Sequence, residues 1–293
     1  MSAGWTHEHA LPIPAAPERL FAALTTPREL ERWFAEHARV EPRVGGAFQF
    51  WGRHTVGTPG EPDVAGTITT FEPNTRLAFE WTVCGVPSTV TVTLTPEQAA
   101  TQVAIRHELH GPLDLPRPRE LIEDWWRFSL GNLMVHATGH GQVLRPDFAD
   151  PRPEIRMAMY VDAPPPAVFR ALTDPDALRE WMGAPAPVVE PRVGGRYELG
   201  WKYQVGGKEV AGGPMRILDI VPNKRLALNW PDWRGDSAVP MQSITWQLEP
   251  DGAGTRVTLV HAGFVRTVDF SDYPFGWGQF MAELARVAAR PRG

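Results

Sequence analysis

An internal repeat constrains the fold of this chain more than any other feature. Three motifs of the first half recur in the second half, in the same order, 148 or 149 residues later. They are Phe-x-Ala-Leu-Thr-x-Pro-x-x-Leu-x-x-Trp at 21–33 and 169–181, Glu-Pro-Arg-Val-Gly-Gly at 41–46 and 190–195, and Pro-Asn-x-Arg-Leu-Ala at 73–78 and 222–227. A unit of about 145 residues is too long for a solenoid repeat and long enough for a core of its own. The chain is therefore a duplicated domain.

The repeat predicts the domain boundaries. We expect one domain over 1–148 and a second over 149–293. The segment 145–154 between them contains three prolines, which favour a semi-rigid, extended connection. Each half holds a complete set of predicted elements, so we expect each to fold independently.

Composition and charge exclude several classes of protein. Hydrophobic residues make up 43% of the chain and charged residues 22%, as in ordinary globular proteins. A single cysteine, Cys84, cannot form an internal disulfide or a thiolate cage for a metal. The net charge of −5 is not that of a protein that binds nucleic acid or anionic lipid. Since no apolar run approaches the roughly 20 residues of a membrane span, and no signal peptide is evident at the N-terminus, we expect a cytoplasmic protein.

Both copies have the same order of predicted elements. Alternating apolar residues over 155–161 predict a first strand. Two short helices follow, the second with Asp174 as its N-cap and Pro175 in its first turn. Several strand-like runs separated by turn signals then predict an antiparallel meander, and an amphipathic helix containing Trp126 or Trp277 closes the copy. Each copy is therefore expected to be an α+β domain in which the last helix covers one face of the sheet.

Strand parity selects residues that point towards that helix. Trp81 and Trp230 share a face with the apolar residues of their strands, and His107 and His261 continue the inward parity of the last strands. A histidine among aliphatic residues is usually a core group with its hydrogen bonds satisfied. It can also be a polar group that orients a ligand in an apolar pocket. Both interpretations stay open at this stage.

The first copy has two further histidines with inward parity. His7 and His9 occupy the positions of Ile155 and Met157 in the second copy. If the first and last strands are neighbours, either could approach His107. Three neutral imidazoles would suit a transition metal, and a pair could transfer a proton, although histidine pairs also arise by chance. We therefore predict no metal site, no cofactor and no assigned catalytic residue.

Two further groups of residues are predicted to lie at the surface. The acidic residues of the short helices, Glu29 among them, indicate a solvated face. His136 and His140 have the spacing of a helix-borne ligand pair, but Gly139 and Gly141 predict that the helix ends there. We expect a solvated last turn.

Taken together, the repeated motifs resemble the bacterial homologues of the activator of heat-shock protein 90 ATPase. The resemblance covers nearly all of both copies. These proteins belong to the START or Bet v 1-like (SRPBCC) superfamily, and the resemblance implies two tandem helix-grip domains. In each, a curved antiparallel sheet wraps a long C-terminal helix, with two short helices after the first strand and a hydrophobic cavity between sheet and helix. Carried over to this sequence, together with His9 from strand parity and Trp201 near a strand end, the residues expected to bind a ligand are Trp81, His107, Trp126, His9, Trp201, Trp230, His261 and Trp277.

The resemblance leaves three functions open. The first, which we expect, is binding of a small hydrophobic or aromatic molecule in the cavity. The second is an enzyme of the cyclase or hydrolase type that uses the pocket histidines as acid and base. The third is a protein-interaction or chaperone-regulating module. A well-formed cavity with a polar inner end would favour the first two, and a filled core with an apolar exterior patch would favour the third.

Overall fold

The computed structural model describes residues 4–58, 60–62, 66–115, 117–140, 143–147, 150, 152–205, 207–265 and 273–290. The chain forms two compact units, unit 1 (Met1–Asp150) and unit 2 (Pro151–Gly293). None of the helices in the described part of the chain has the length and apolarity that crossing a lipid bilayer requires.

Unit 1 is an antiparallel sheet packed on a long helix. Its described strands are β1 (Trp5–Ile13), β2 (His37–Val40), β3 (Ala47–Trp51), β4 (Gly66–Glu72), β5 (Arg76–Val83), β6 (Val86–Pro96) and β7 (Thr101–Leu109), and its helices are α1 (Pro17–Thr25), α2 (Pro27–Trp33) and α3 (Pro118–Thr138). The strand order is β1-β7-β6-β5-β4-β3-β2. The first and last strands are therefore neighbours, and the others form the predicted meander.

Unit 2 repeats this arrangement. Its described elements are β8 (Ile155–Val161), α4 (Pro165–Thr173), α5 (Pro175–Trp181), β9 (Val188–Val189), β10 (Arg196–Glu198), β11 (Lys202–Val205), β12 (Lys208–Ala211), β13 (Met215–Val221), β14 (Arg225–Trp230), β15 (Gln242–Asp251), β16 (Gly254–Ala262) and α6 (Tyr273–Ala288). The large sheet has the order β8-β16-β15-β14-β13-β10-β9. Strands β11 and β12 form a separate hairpin, which the sequence did not predict. The α+β class and the tandem helix-grip fold are confirmed.

The repeated motifs encode turns that few residues can make. In both copies of Glu-Pro-Arg-Val-Gly-Gly the first glycine has a positive φ, 75° at Gly45 and 74° at Gly194. In both copies of Pro-Asn-x-Arg-Leu-Ala the asparagine is also left-handed, with φ 65° at Asn74 and 61° at Asn223. Glycine and asparagine adopt this region at the least steric cost. These motifs therefore recur because the same hairpins recur.

The tryptophan that ends each short-helix pair is a structural residue. The indole nitrogen of Trp33 donates to the carbonyl oxygen of Ala23 at 3.1 Å, and that of Trp181 donates to Ala171 at 2.8 Å. Both bonds are buried and join the second short helix to the first. Asp174 caps α5, as predicted, by accepting hydrogen bonds from two backbone N–H groups.

Candidate functional site

His107 is the centre of a buried hydrogen-bond chain in unit 1. Trp126 on α3 donates its indole N–H to Nδ1 of His107 at 3.1 Å. An indole nitrogen is only a donor, so the proton of this imidazole is on Nε2. That N–H donates to Oγ of Ser88 at 2.9 Å, and the Ser88 hydroxyl donates to the carbonyl oxygen of Trp81 at 2.6 Å. Every polar atom of the His107 ring is thus used within the protein.

His261 has the same arrangement in unit 2. Trp277 on α6 donates its indole N–H to Nδ1 of His261 at 3.0 Å. The Nε2–H of His261 donates to Oε1 of Gln242 at 2.8 Å. Both histidines and both tryptophans were predicted from the sequence, whereas Ser88 and Gln242 were not. Ser88 and Gln242 lie two residues before the buried Val90 on β6 and Ile244 on β15, so strand parity applied to these strands would have found them.

Burial decides the charge of the two histidines. Desolvation lowers the pKa of His107 to about 3, with a smaller contribution from nearby His7. Burial alone lowers the pKa of His261 to about 3. Both rings are neutral at pH 7, and neither has a free nitrogen with which to move a proton. This arrangement matches the core interpretation of the two histidines and gives no support to an acid–base role; their role in ligand binding stays a prediction.

Aromatic rings fill the interior of unit 1 beside His107. Trp81 stacks on the imidazole with ring centroids 5.2 Å apart, and Trp126 meets it edge-on at 5.9 Å. Trp125 is 1% exposed and lies 5.6 Å from Phe34, centroid to centroid. The residues expected to line a cavity in unit 1 are therefore packed against one another.

His7 and His9 lie on β1, on the half-buried side. His7 is directly opposite His107 in the β1–β7 register, and His9 is opposite Ile105. The two rings are 6.3 Å apart, and burial lowers the pKa of each. Among the described residues no three histidine, cysteine or acidic side chains are grouped so as to hold a metal ion. The three-imidazole cluster considered above does not form there.

Unit 2 contains a small crevice with aromatic walls. It encloses about 10 Å³, and its lining residues are Trp201, Tyr203, Gly212, Met215, Trp230, Pro231 and Trp233. Trp201 lies 6.1 Å from Trp230 and Tyr203 lies 5.8 Å from Trp233, centroid to centroid, both edge to face. Tyr203 lies on β11, and Trp201 directly precedes that strand. Trp233 lies in the loop after β14. Of these rings, Trp201 and Trp230 were predicted from the sequence to bind a ligand.

The two units differ at one helix position. Trp125 precedes Trp126 on α3, whereas Gly276 precedes Trp277 on α6. A Cβ atom added to Gly276 would meet no atom of the described residues within 4 Å. Unit 2 therefore has no side chain at the helix position that carries an indole in unit 1. Phe280, one turn later on α6, instead stacks on Trp201 at 5.7 Å.

Glu29 and His136 are not the solvated residues that the sequence predicted. Glu29 Oε2 lies 2.9 Å from His136 Nε2 and 2.6 Å from Arg19 Nη1. The side chain of Glu29 is 19% exposed and that of His136 11%. The hydrogen bond from His136, followed by that from Arg19, lowers the pKa of Glu29. This cluster holds the end of α3 against α1 and α2.

Solved structures similar to this chain are known. Protein MLL2253 from Mesorhizobium loti is 26% identical, with 48% of this chain and 99% of that chain covered and a TM-score of 0.39. Protein CV1439 from Chromobacterium violaceum is 27% identical, with 47% and 98% covered and a TM-score of 0.39. DynU16, a protein of the dynemicin biosynthetic locus, is 18% identical, with 97% and 99% covered and a TM-score of 0.41. No curated protein matches the chain.

The family profile described as activator of Hsp90 ATPase homolog 1-like protein matches the chain twice, over residues 14–137 and 162–289. The two matches fall on the two copies of the repeat and together cover most of the sequence. The chain belongs to the family of activator of Hsp90 ATPase homolog 1-like proteins and carries two tandem domains of that family.

Proposed function

We propose that unit 2 binds a small hydrophobic or aromatic molecule in its crevice. The observation that carries this proposal is the meeting of four aromatic rings, from three chain segments, around one small space. Large rigid rings that present faces and edges to one space suit a flat apolar ligand. Trp230 connects the crevice to the Trp277–His261 pair that corresponds to Trp126–His107 in unit 1, because its ring centroid lies 5.3 Å from that of Trp277.

The ligand would enter where two chain segments separate. A volume of about 10 Å³ holds roughly one water molecule, so an organic ligand must push the walls apart. Among the described strands, the β11–β12 hairpin has no partner in the large sheet, and the loop after β14 is not part of a strand. The hairpin and this loop touch at Val210 and Gly235, where an added Cβ on the glycine would lie 2.8 Å from Val210 Cγ1. Opening at this contact would leave the large sheet intact.

Unit 1 would have another role, since its equivalent interior is closed by Trp125. A filled core favours the protein-interaction alternative for this unit, and one surface feature agrees with it. Val44 is 61% exposed and Val193 62%, at the same position of the repeated glycine turn. Exposed apolar side chains kept in both copies have no role in packing. Protein interaction through these turns is therefore the second candidate function.

A fluorescence titration tests the first proposal. N-phenyl-1-naphthylamine, a neutral aromatic probe, should bind the full chain and gain fluorescence. Replacing Trp201 with Ala should weaken this binding at least about tenfold, because it removes one wall of the crevice. Trp51→Ala is the matched control, since Trp51 is half-buried near the end of the equivalent strand in unit 1. The proposal fails if the wild-type chain does not bind the probe or if the two variants bind it equally.

A further inference from the structure

A buried amide group in unit 2 has no hydrogen-bond partner. Gln242 is 2% exposed, and its Oε1 accepts the hydrogen bond from His261 at 2.8 Å. Its Nε2 has no partner among the described residues. A buried donor without an acceptor lowers stability, and such groups in native proteins call for an explanation. A bound ligand that supplies the missing acceptor is one such explanation.

The equivalent position in unit 1 has no spare donor. Val90 is opposite His107 and Ile244 is opposite His261, so Ser88 and Gln242 occupy the same register position, two residues earlier. The single hydroxyl proton of Ser88 is donated to the carbonyl oxygen of Trp81. The hydrogen-bond chain is therefore closed in unit 1 and ends in a free N–H group in unit 2.

The free donor lies next to a residue of the crevice wall. Gln242 is directly opposite Trp230 in the β14–β15 register, and both side chains are buried on the helix side of the sheet. Trp230 forms part of the crevice wall. A ligand that reached Trp230 would lie beside the Gln242 amide.

We propose that the ligand of unit 2 is an aromatic molecule with a neutral carbonyl oxygen, and that the Nε2–H of Gln242 donates to that oxygen. This inference rests on the proposed function. A carbonyl is the simplest match, because a carbonyl oxygen only accepts and the group without a partner, the Nε2–H of Gln242, only donates. It fits better than a carboxylate because an unpaired charge in this apolar interior would be strongly unfavourable.

Two probes of nearly the same shape test the assignment. 2-Acetylnaphthalene has the ketone oxygen, and 2-isopropenylnaphthalene has a CH₂ group in its place. Titration of the full chain, followed by tryptophan fluorescence, should show the ketone binding about tenfold more tightly. In Gln242→Leu, which removes the NH₂ group and adds no other donor, this preference should disappear while the affinity for the hydrocarbon stays unchanged. Gln242→Met should give the same result, and the matched change Ser88→Ala in unit 1 should keep the preference.

The possible results distinguish a failure of this inference from a failure of the proposed function. Equal binding of both probes by the wild-type chain would overturn the role of Gln242 and leave the aromatic site in place. A preference that survives in both Gln242 variants would do the same. If neither probe binds the wild-type chain, the proposed function falls, and this inference falls with it. The wild-type comparison requires no variant, so the test does not depend on whether the substituted chains fold.

Discussion

Ser88→Ala should destabilise unit 1 through two lost hydrogen bonds and almost no lost volume. Ser88 is 3% exposed, and its hydroxyl accepts from His107 Nε2 at 2.9 Å and donates to the Trp81 carbonyl oxygen at 2.6 Å. Without it, the N–H of the fully buried His107 has no acceptor, which costs about 1–3 kcal/mol, and the second lost bond adds about 1 kcal/mol. A hydroxyl is too small to leave a substantial cavity. We expect the free energy of unfolding of unit 1 to fall by about 2–4 kcal/mol.

Urea denaturation of the full chain, followed by circular dichroism and fitted with one transition for each unit, measures this change. Thr89→Val is the matched control, since Thr89 is next to Ser88 but its hydroxyl faces solvent, 3.1 Å from His110 Nε2. The control removes a hydroxyl without changing the branched shape, and it should alter stability by less than about 0.5 kcal/mol. If Ser88→Ala has an effect as small as that of the control, the hydrogen bonds through His107 do not stabilise the core.

Three other predictions follow from charge, burial and the repeat. Because burial holds the pKa of His107 and His261 at about 3, well below the unfolded value of about 6.5, the unfolded state takes up protons first as the pH falls. Each of these two histidines should cost its unit about 1.4 kcal/mol of stability per pH unit below pH 6.5, or about 2 kcal/mol between pH 7 and 5. A urea midpoint that stays flat over that range would contradict the burial. Glu29→Gln removes the charge from a mostly buried carboxylate that Arg19, Arg32 and His136 share, and should lower the stability of unit 1 by about 1–2 kcal/mol in the same assay; no change would place the cluster in solvent. Fragments 1–148 and 149–293 should each unfold cooperatively in calorimetry, and the absence of a transition in both would contradict the two-domain interpretation.

The fold could be predicted because its signals are local or repeated. The left-handed turns at Gly45 and Asn74 each depend on one residue type, and the second copy repeats them at the same spacing. The second copy therefore supported the turns predicted in the first. The β11–β12 hairpin was missed because it falls where the two copies diverge, so neither a motif nor a repeat marked it.

The candidate site was harder to predict because it depends on contacts between distant residues. Strand parity showed that His107 points inward, but parity does not show which residue receives its Nε2 proton. Glu29 and His136 are 107 residues apart in sequence, so their hydrogen bond could not be inferred from either neighbourhood. The two units also differ at one helix position, which holds the buried Trp125 in unit 1 and Gly276 in unit 2. Only packing reveals the consequence of that difference.

Binding stoichiometry tests most directly the central claim that unit 2 has an aromatic site and unit 1 a closed core. The measurement is native mass spectrometry of the full chain equilibrated with N-phenyl-1-naphthylamine. We predict one bound probe per chain, and none in Trp201→Ala at the same probe concentration. Two bound probes per chain, or one that persists in Trp201→Ala, would contradict the account.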